Sequence, residues 1–293
     1  MTAGYLGRVW RSQGAVGLRA AFRTIAKRSR EDAVKALNDP ENGFPVLYLL
    51  APEAEQLGLE NALPERAKYG IWLVATKAGD ASRAQNYAIM LGAKSGVDPP
   101  QDTLKWIIET GADWDGPRAG RDDYDAAIDL AVAYFATQYA DSDTLAKIAE
   151  LIFRRHRKGL FIHDLVWGFF QSANASALAV IAKYIVSDNN ADTELACKLL
   201  GLEMPKNSAD KVKAYAKHAE WLNENRKYIY LTGEHFNAMS EPHHLSHDEE
   251  AKYLGREIHP RTRAPYTPLT SEELTALEVF RAARNGTHGG ENV

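Results

Sequence analysis

The chain has 293 residues and a formal net charge of −4; 45% of its residues are hydrophobic and 25% are charged. These proportions exclude a chain that is disordered throughout, and the length can bury a large core in one elongated domain or two compact ones. A pI near 6.2 provides no general positive field, so we expect no nucleic-acid partner.

Cysteine content and hydropathy indicate the compartment. The one cysteine, Cys197, cannot form an internal disulfide, and it lies among apolar residues in ELACKLLGL. This usage is typical of a reducing compartment. No apolar run approaches the roughly 20 residues that span a bilayer, and the N-terminal stretch lacks the apolar core of a secretory signal. We therefore expect a cytoplasmic protein.

The first predicted segment, residues 1–63, begins with a basic stretch. Seven cations precede the first acidic residue, Glu31, and they are Arg8, Arg11, Arg19, Arg23, Lys27, Arg28 and Arg30. Apolar side chains, among them Trp10, are interleaved with them. Such a stretch can lie on a membrane surface, act as a transit sequence or dock on an acidic partner. Because four glycines weaken its first half as a helix, we predict a helix from about Gly17 that packs its apolar face on the core.

The second predicted segment, residues 64–230, contains one helical pattern after another. Apolar residues recur at helical spacing, glycines end the patterns, and connections of a few residues make neighbouring helices antiparallel. The stretches DTLKWIIE (102–109) and DTLAKIAE (143–150) agree at five of eight positions. Their offset is close to the period of two-helix repeats. We predict an all-α fold: an array of short antiparallel helix pairs that resembles HEAT-like or irregular α-solenoids in architecture alone, so no functional residue carries over.

One long irregular stretch, residues 111–123, interrupts the predicted array. It carries Trp114, Arg118 and Arg121. Tryptophan and arginine are enriched at interface hot spots, so we predict a contact point for a partner here. The alternative is that Trp114 packs against adjoining helices.

The third predicted segment, residues 231–293, starts with a histidine-rich connection. Four imidazoles lie within thirteen positions, on His235, His243, His244 and His247, and acidic residues follow at 248–250. In a helix, His243 and His247 would have the spacing of two zinc ligands. However, Ser246 and Glu249 form a capping-box pattern for a short helix that closes at Gly255, with Ser246 as N-cap. That pattern leaves His243 in a loop and favours a polar connection, with a divalent-metal site or a pH-sensitive interface as alternatives.

The end of the third segment changes character. Pro260, Pro265 and Pro268 predict an extended arm, which carries Arg261 and Arg263. The capping box TSEE (270–273) then begins a terminal helix with apolar residues on one face. We expect this arm and helix to fold back on their own core or to dock on a neighbouring subunit.

Three functions remain open from the sequence. The chain lacks a phosphate loop, a dinucleotide-binding glycine pattern and a hydrolase nucleophile elbow. This favours a non-enzymatic scaffold that binds a protein partner or self-assembles, with partner-binding candidates Arg8, Trp10, Arg11, Trp114, Arg118, Arg121, Arg261 and Arg263. The alternative is a metal-dependent hydrolase or lyase that uses His235, His243, His244 and His247 with Glu241. A lesser alternative is a peripheral membrane protein that binds through residues 1–28.

Overall fold

A computed structural model describes residues 4–93, 96–112, 124–233 and 245–287. Across these ranges the protein has fourteen α-helices, three short 3-10 helices and one two-stranded sheet. The predicted all-α class is therefore confirmed. The chain divides into two compact units, residues 1–139 and 140–293. None of the helices in the described ranges is both long and apolar enough to cross a bilayer.

Seven helices lie in the described residues of the first unit. They are α1 (Tyr5–Arg28), α2 (Arg30–Leu37), α3 (Phe44–Gln56), α4 (Glu65–Lys77), α5 (Ala81–Met90), α6 (Gln101–Ala112) and α7 (Tyr124–Gln138), with a 3-10 helix at Glu60–Ala62. Among their contacts, α1 packs on α2 and α3, α4 packs on α5 and α7, and α6 packs on α7. Ser29 is the N-cap of α2, since its side chain accepts a hydrogen bond from the Asp32 amide.

The first helix is longer than the sequence predicts. It begins at Tyr5, not near Gly17, and is kinked at Gly14, where φ is 68° and ψ is −170°. The residues that face the core, including Leu6, Leu18 and Phe22, lie on both sides of the kink and are buried. Glycines lower helix stability by about 1 kcal/mol each, but burial of this apolar stripe outweighs that cost.

Close packing in the first unit depends on a glycine in α4. A Cβ atom added at Gly70 would lie 2.6 Å from Cζ of Phe44, which is fully buried. The Phe44 ring in turn meets the Trp106 ring edge to face at 5.9 Å. The absence of a side chain at Gly70 therefore lets α4 approach α3.

The described part of the second unit contains seven further helices and the sheet. They are α8 (Ser142–Arg157), α9 (His163–Phe170), α10 (Ala175–Ala182), α11 (Asn190–Leu200), α12 (Ser208–Asn225), α13 (Glu249–Leu254) and α14 (Ser271–Thr287), with strands β1 (Ile229–Leu231) and β2 (Leu245–His247). The 3-10 helices Lys183–Val186 and Arg226–Tyr228 continue α10 and α12. Helix α8 packs on α9, α10 and α11, and α12 packs on α10.

The last residues of the histidine-rich connection, Leu245–His247, form strand β2. Strand β2 pairs antiparallel with β1, and Ser246 lies opposite Tyr230. The prediction that Ser246 caps the following helix is therefore wrong. Asp248 is the N-cap of α13, because its Oδ1 accepts a hydrogen bond from the Ala251 amide at 3.0 Å. The predicted end at Gly255 is confirmed, with a left-handed backbone at that residue.

The terminal helix folds back on the chain. Its capping box is reciprocal: Thr270 Oγ1 accepts from the Glu273 amide at 3.2 Å, and the Thr270 amide donates to the Glu273 carboxylate at 2.8 Å. Arg281 of α14 forms two hydrogen bonds, of 2.8 and 2.6 Å, with the carboxylate of Glu250 in α13. Helix α14 therefore packs on α13 of the same chain.

Candidate functional site

The predicted metal ligands are only partly within the described residues. His247 lies in β2, where its ring meets the Trp221 ring edge to face at 5.7 Å. His235, Glu241, His243 and His244 lie outside the described residues. Among the side chains that the structure describes, no group of three or more His, Cys, Asp or Glu is placed to hold a metal ion. The metal site involving the other three histidines stays a prediction.

The predicted partner-binding residues occupy different environments. Arg8 and Arg11 are exposed on α1, whereas Trp10 is buried and its ring meets the Tyr124 ring edge to face at 6.0 Å. Trp10 is therefore part of the core of the first unit. Trp114, Arg118 and Arg121 lie outside the described ranges.

Three cations of the basic N-terminal stretch bind α3 and the residues that follow it. Arg23 forms two hydrogen bonds, of 2.6 and 2.5 Å, with the buried carboxylate of Glu53, which raises the pKa of the guanidinium. Arg19 donates to the Leu49 carbonyl at 3.2 Å, and Arg30 donates to the carbonyls that end α3. Much of the positive charge in this stretch therefore stabilises the first unit.

The two arginines of the C-terminal arm also bind within their own unit. Arg263 donates to Asp248 Oδ2 at 2.7 Å and stacks over the Tyr230 ring at 4.1 Å, while Arg261 donates to the Gln171 carbonyl. Burial alone would raise the pKa of Asp248, but the hydrogen bonds from the Ala251 amide and Arg263 outweigh it and keep that pKa below its usual value. The arm is thereby fixed against the second unit.

A pocket that the sequence analysis did not predict lies between α10 and α12. Its volume is about 230 Å³. The wall from α10 consists of small side chains, including Ala175, Ala179 and Ala182, and the wall from α12 includes Tyr215 and His218. Alanines at positions i, i+4 and i+7 lie on one face of a helix. That face leaves a gap which the side chains of α12 do not fill.

His218 is the buried polar group in this pocket. It is 6% exposed, and within the described part of the chain its Nε2 has no hydrogen-bond partner. Its ring stacks on Trp221 at 5.5 Å, and burial lowers the pKa of the imidazole, so the ring is neutral near pH 7. A neutral imidazole carries one donor and one acceptor nitrogen. An unpaired buried nitrogen costs about 1–3 kcal/mol, which makes this side chain the strongest candidate for contact with a ligand.

The rim of the same pocket is polar. Ser176 of α10 and Asn223 of α12 line it, together with Arg226, which begins the 3-10 helix after α12. Arg226 is exposed and forms no ion pair with the residues that the structure describes. The pocket therefore combines an apolar wall, a buried neutral imidazole and a cation at its opening.

No protein-family model matches the chain, and neither a curated protein nor a solved structure matches it. Proposals about its function therefore rest on the arrangement of its own side chains.

A second groove lies at the other end of α12. Its volume is about 480 Å³, and it is lined by the exposed apolar side chains of Val186, Met204 and Val212. Lys211 crosses its polar part, where the ammonium group donates to the Ser187 carbonyl at 2.8 Å and to Asn190 Oδ1 at 3.1 Å. Both cavities therefore lie along α12, which buries only three of its 18 residues.

The sequence did contain a signal for the first pocket. In α12, Tyr215, His218 and Leu222 recur at helical spacing, and a histidine on such a face is usually a core residue whose ring is hydrogen-bonded. This spacing does not by itself indicate a pocket. The pocket exists because α10 packs opposite α12 and carries alanines where larger side chains would fill the gap.

Proposed function

We propose that the protein is a non-enzymatic interaction or assembly protein that binds another protein through its helical surface. The observation that carries this proposal is the groove at the start of α12, where Val186, Met204 and Val212 are 41%, 47% and 60% exposed. Single exposed apolar residues are common on protein surfaces. Several around one groove with a polar rim are typical of a site that another protein covers.

The groove favours an acidic, amphipathic partner segment. Lys206 and Lys211 line it, and the amide groups at the start of α12 add partial positive charge. Asp188 supplies one opposing charge. An apolar anchor residue flanked by carboxylates would satisfy both parts of this surface. The large exposed area of α12 leaves room for such a segment.

We also propose that the helices form pairs of a HEAT-like or irregular solenoid. The repeated sequence DTL begins near the start of both α6 and α8. Within the first unit, two pairs of successive helices, α4 with α5 and α6 with α7, pack on each other. Such pairs expose long faces on which a partner can dock.

The test compares two valines of similar exposure. Val212 lines the groove, and Val279 is 63% exposed on α14, away from it. The full chain is isolated from its native source with its partners, which mass spectrometry identifies, and light scattering gives its oligomeric state. We expect Val212→Asp to lose the identified partner or the self-association, and Val279→Asp to retain it. A wild-type monomer without any partner, or equal behaviour of the two variants, would contradict the proposal.

A further inference from the structure

We propose that the pocket between α10 and α12 binds a small aromatic carboxylic acid that carries a hydroxyl group, with the hydroxyl on His218 and the carboxylate on Arg226. The proposal rests on the size of the pocket, on a buried imidazole nitrogen that has no hydrogen-bond partner among the described residues, and on the cation at the opening. It is independent of the groove at the start of α12.

The size of the pocket selects the body of the ligand. Its volume is about 230 Å³, and a cavity of roughly 150 Å³ is known to hold one benzene molecule. The space therefore accommodates one ring with small substituents. Ala175, Ala179 and Ala182 present a low apolar wall, and Leu222 lines the opposite side. A flat apolar ring covers such a wall better than a branched polar molecule does.

His218 selects a hydroxyl group. Its Nε2 is buried, and no hydrogen bond to another described residue fixes the orientation of the imidazole. The ring can therefore turn by 180° about its Cβ–Cγ bond without losing a hydrogen bond, so either nitrogen can face the ligand. A hydroxyl can both donate and accept, so it satisfies the donor or the acceptor nitrogen of a neutral imidazole.

Arg226 selects a carboxylate at the other end of the ring. Eight residues of helical rise separate it from His218, a distance of about 12 Å along the axis. A hydroxyl and a carboxylate on opposite sides of one ring, with a hydrogen bond at each end, span a similar length. Arg226 is one of the residues that line the pocket. Asn223 and Ser176 line the same opening and can donate to the carboxylate.

The probe is 4-hydroxybenzoate, titrated into the full chain and followed by NMR resonances of His218 and Ala179 and by calorimetry. Benzoate lacks the hydroxyl and phenol lacks the carboxylate. We expect 4-hydroxybenzoate to bind more tightly than either of them. Unchanged resonances at millimolar probe, or equal affinity for phenol and 4-hydroxybenzoate, would overturn the proposal.

Two substitutions separate the contacts. Arg226→Gln should weaken 4-hydroxybenzoate roughly tenfold by removing a charge-assisted hydrogen bond, and it should leave phenol unchanged. Lys217→Gln makes the same charge change at an exposed position of α12 outside the pocket, and it should have no effect. Both changes are on the surface, so loss of folding does not confuse the result. If both variants weakened 4-hydroxybenzoate binding equally, the effect would be a general loss of positive charge, and the assignment of the carboxylate to Arg226 would be refuted.

Discussion

Replacement of His218 by leucine should stabilise the unliganded protein. The substitution removes a buried nitrogen that has no hydrogen-bond partner in the described part of the chain. Burying such a nitrogen costs about 1–3 kcal/mol. It also removes the stacking of the imidazole on Trp221, and aromatic pairs contribute about 0.5–1.5 kcal/mol. Leucine fills a similar apolar position without a polar atom. Because the cost of the unpaired nitrogen is larger than the contribution of the stacked rings, we expect the free energy of unfolding to increase by about 1 kcal/mol at pH 8.

The stability advantage of His218→Leu over the wild-type protein should increase as the pH falls. Burial lowers the pKa of His218 from its ordinary value of 6.5. Below pH 6.5 the unfolded chain therefore binds a proton at this residue that the folded chain does not bind. The wild-type protein loses stability through this window, from pH 6.5 down to the lowered pKa, and the leucine variant does not. The difference between the two proteins should thus be larger at pH 5 than at pH 8.

Urea unfolding followed by circular dichroism measures these differences. Hydrogen exchange at α10 and α12 shows whether these stability differences arise in the second unit. This control is needed because two compact units need not unfold together. His259→Leu is the matched control, since Nδ1 of His259 accepts hydrogen bonds from the Arg261 and Thr262 amides. This variant should lose stability. If His218→Leu also loses stability at pH 8, or if its advantage does not grow toward pH 5, the reasoning about the unpaired nitrogen is refuted.

Three further predictions concern packing and surface contacts. Gly70→Ala should destabilise the first unit by about 1–3 kcal/mol in urea unfolding, because its Cβ would overlap the ring of Phe44; an unchanged midpoint would contradict this. Cys197 is buried and its pKa is raised by burial, so a disulfide reagent should modify it slowly in native protein and rapidly in urea; equal rates would show that the thiol is accessible. Glu250→Ala removes both hydrogen bonds from Arg281, so hydrogen exchange in α14 should accelerate while exchange in α3 and α4 is unaffected; unchanged exchange in α14 would contradict this.

Helix starts were predictable where local chemistry determines them. Thr270 caps α14 as its sequence predicts, because its side chain accepts from an amide three residues later. Ser29 and Asp80 cap α2 and α5 through the same contact. These bonds form within one turn and do not depend on the rest of the fold. The helical class follows from the same kind of information, since the spacing of apolar residues is visible in the sequence.

The features that the sequence did not predict depend on contacts between residues that are far apart in the chain. The sequence SHDE fits a capping box at Ser246, yet this residue lies in β2 because the strand pairs with β1, which is more than ten residues earlier. The local pattern could not reveal that partner. The pocket at His218 has the same origin, because its two walls are about 40 residues apart in the chain. Sequence periodicity places His218 on an inward face, but only the opposite helix determines whether its nitrogen is paired.

The two hydrogen bonds between Arg23 and Glu53 attach the basic N-terminal stretch to α3 in the first unit. A truncation that removes residues 1–28 would remove all of α1, including Arg23 and the buried side chains of Leu18 and Phe22, and would expose the apolar surface of α3 on which α1 packs. Such a loss of apolar burial is strongly destabilising. A defect in that truncated protein would therefore not distinguish a missing membrane contact from misfolding. Replacing the exposed residues Arg11, Lys27 and Arg28 by neutral ones changes the surface charge and leaves the interior intact. A change in membrane affinity of that variant would therefore result from the charge alone.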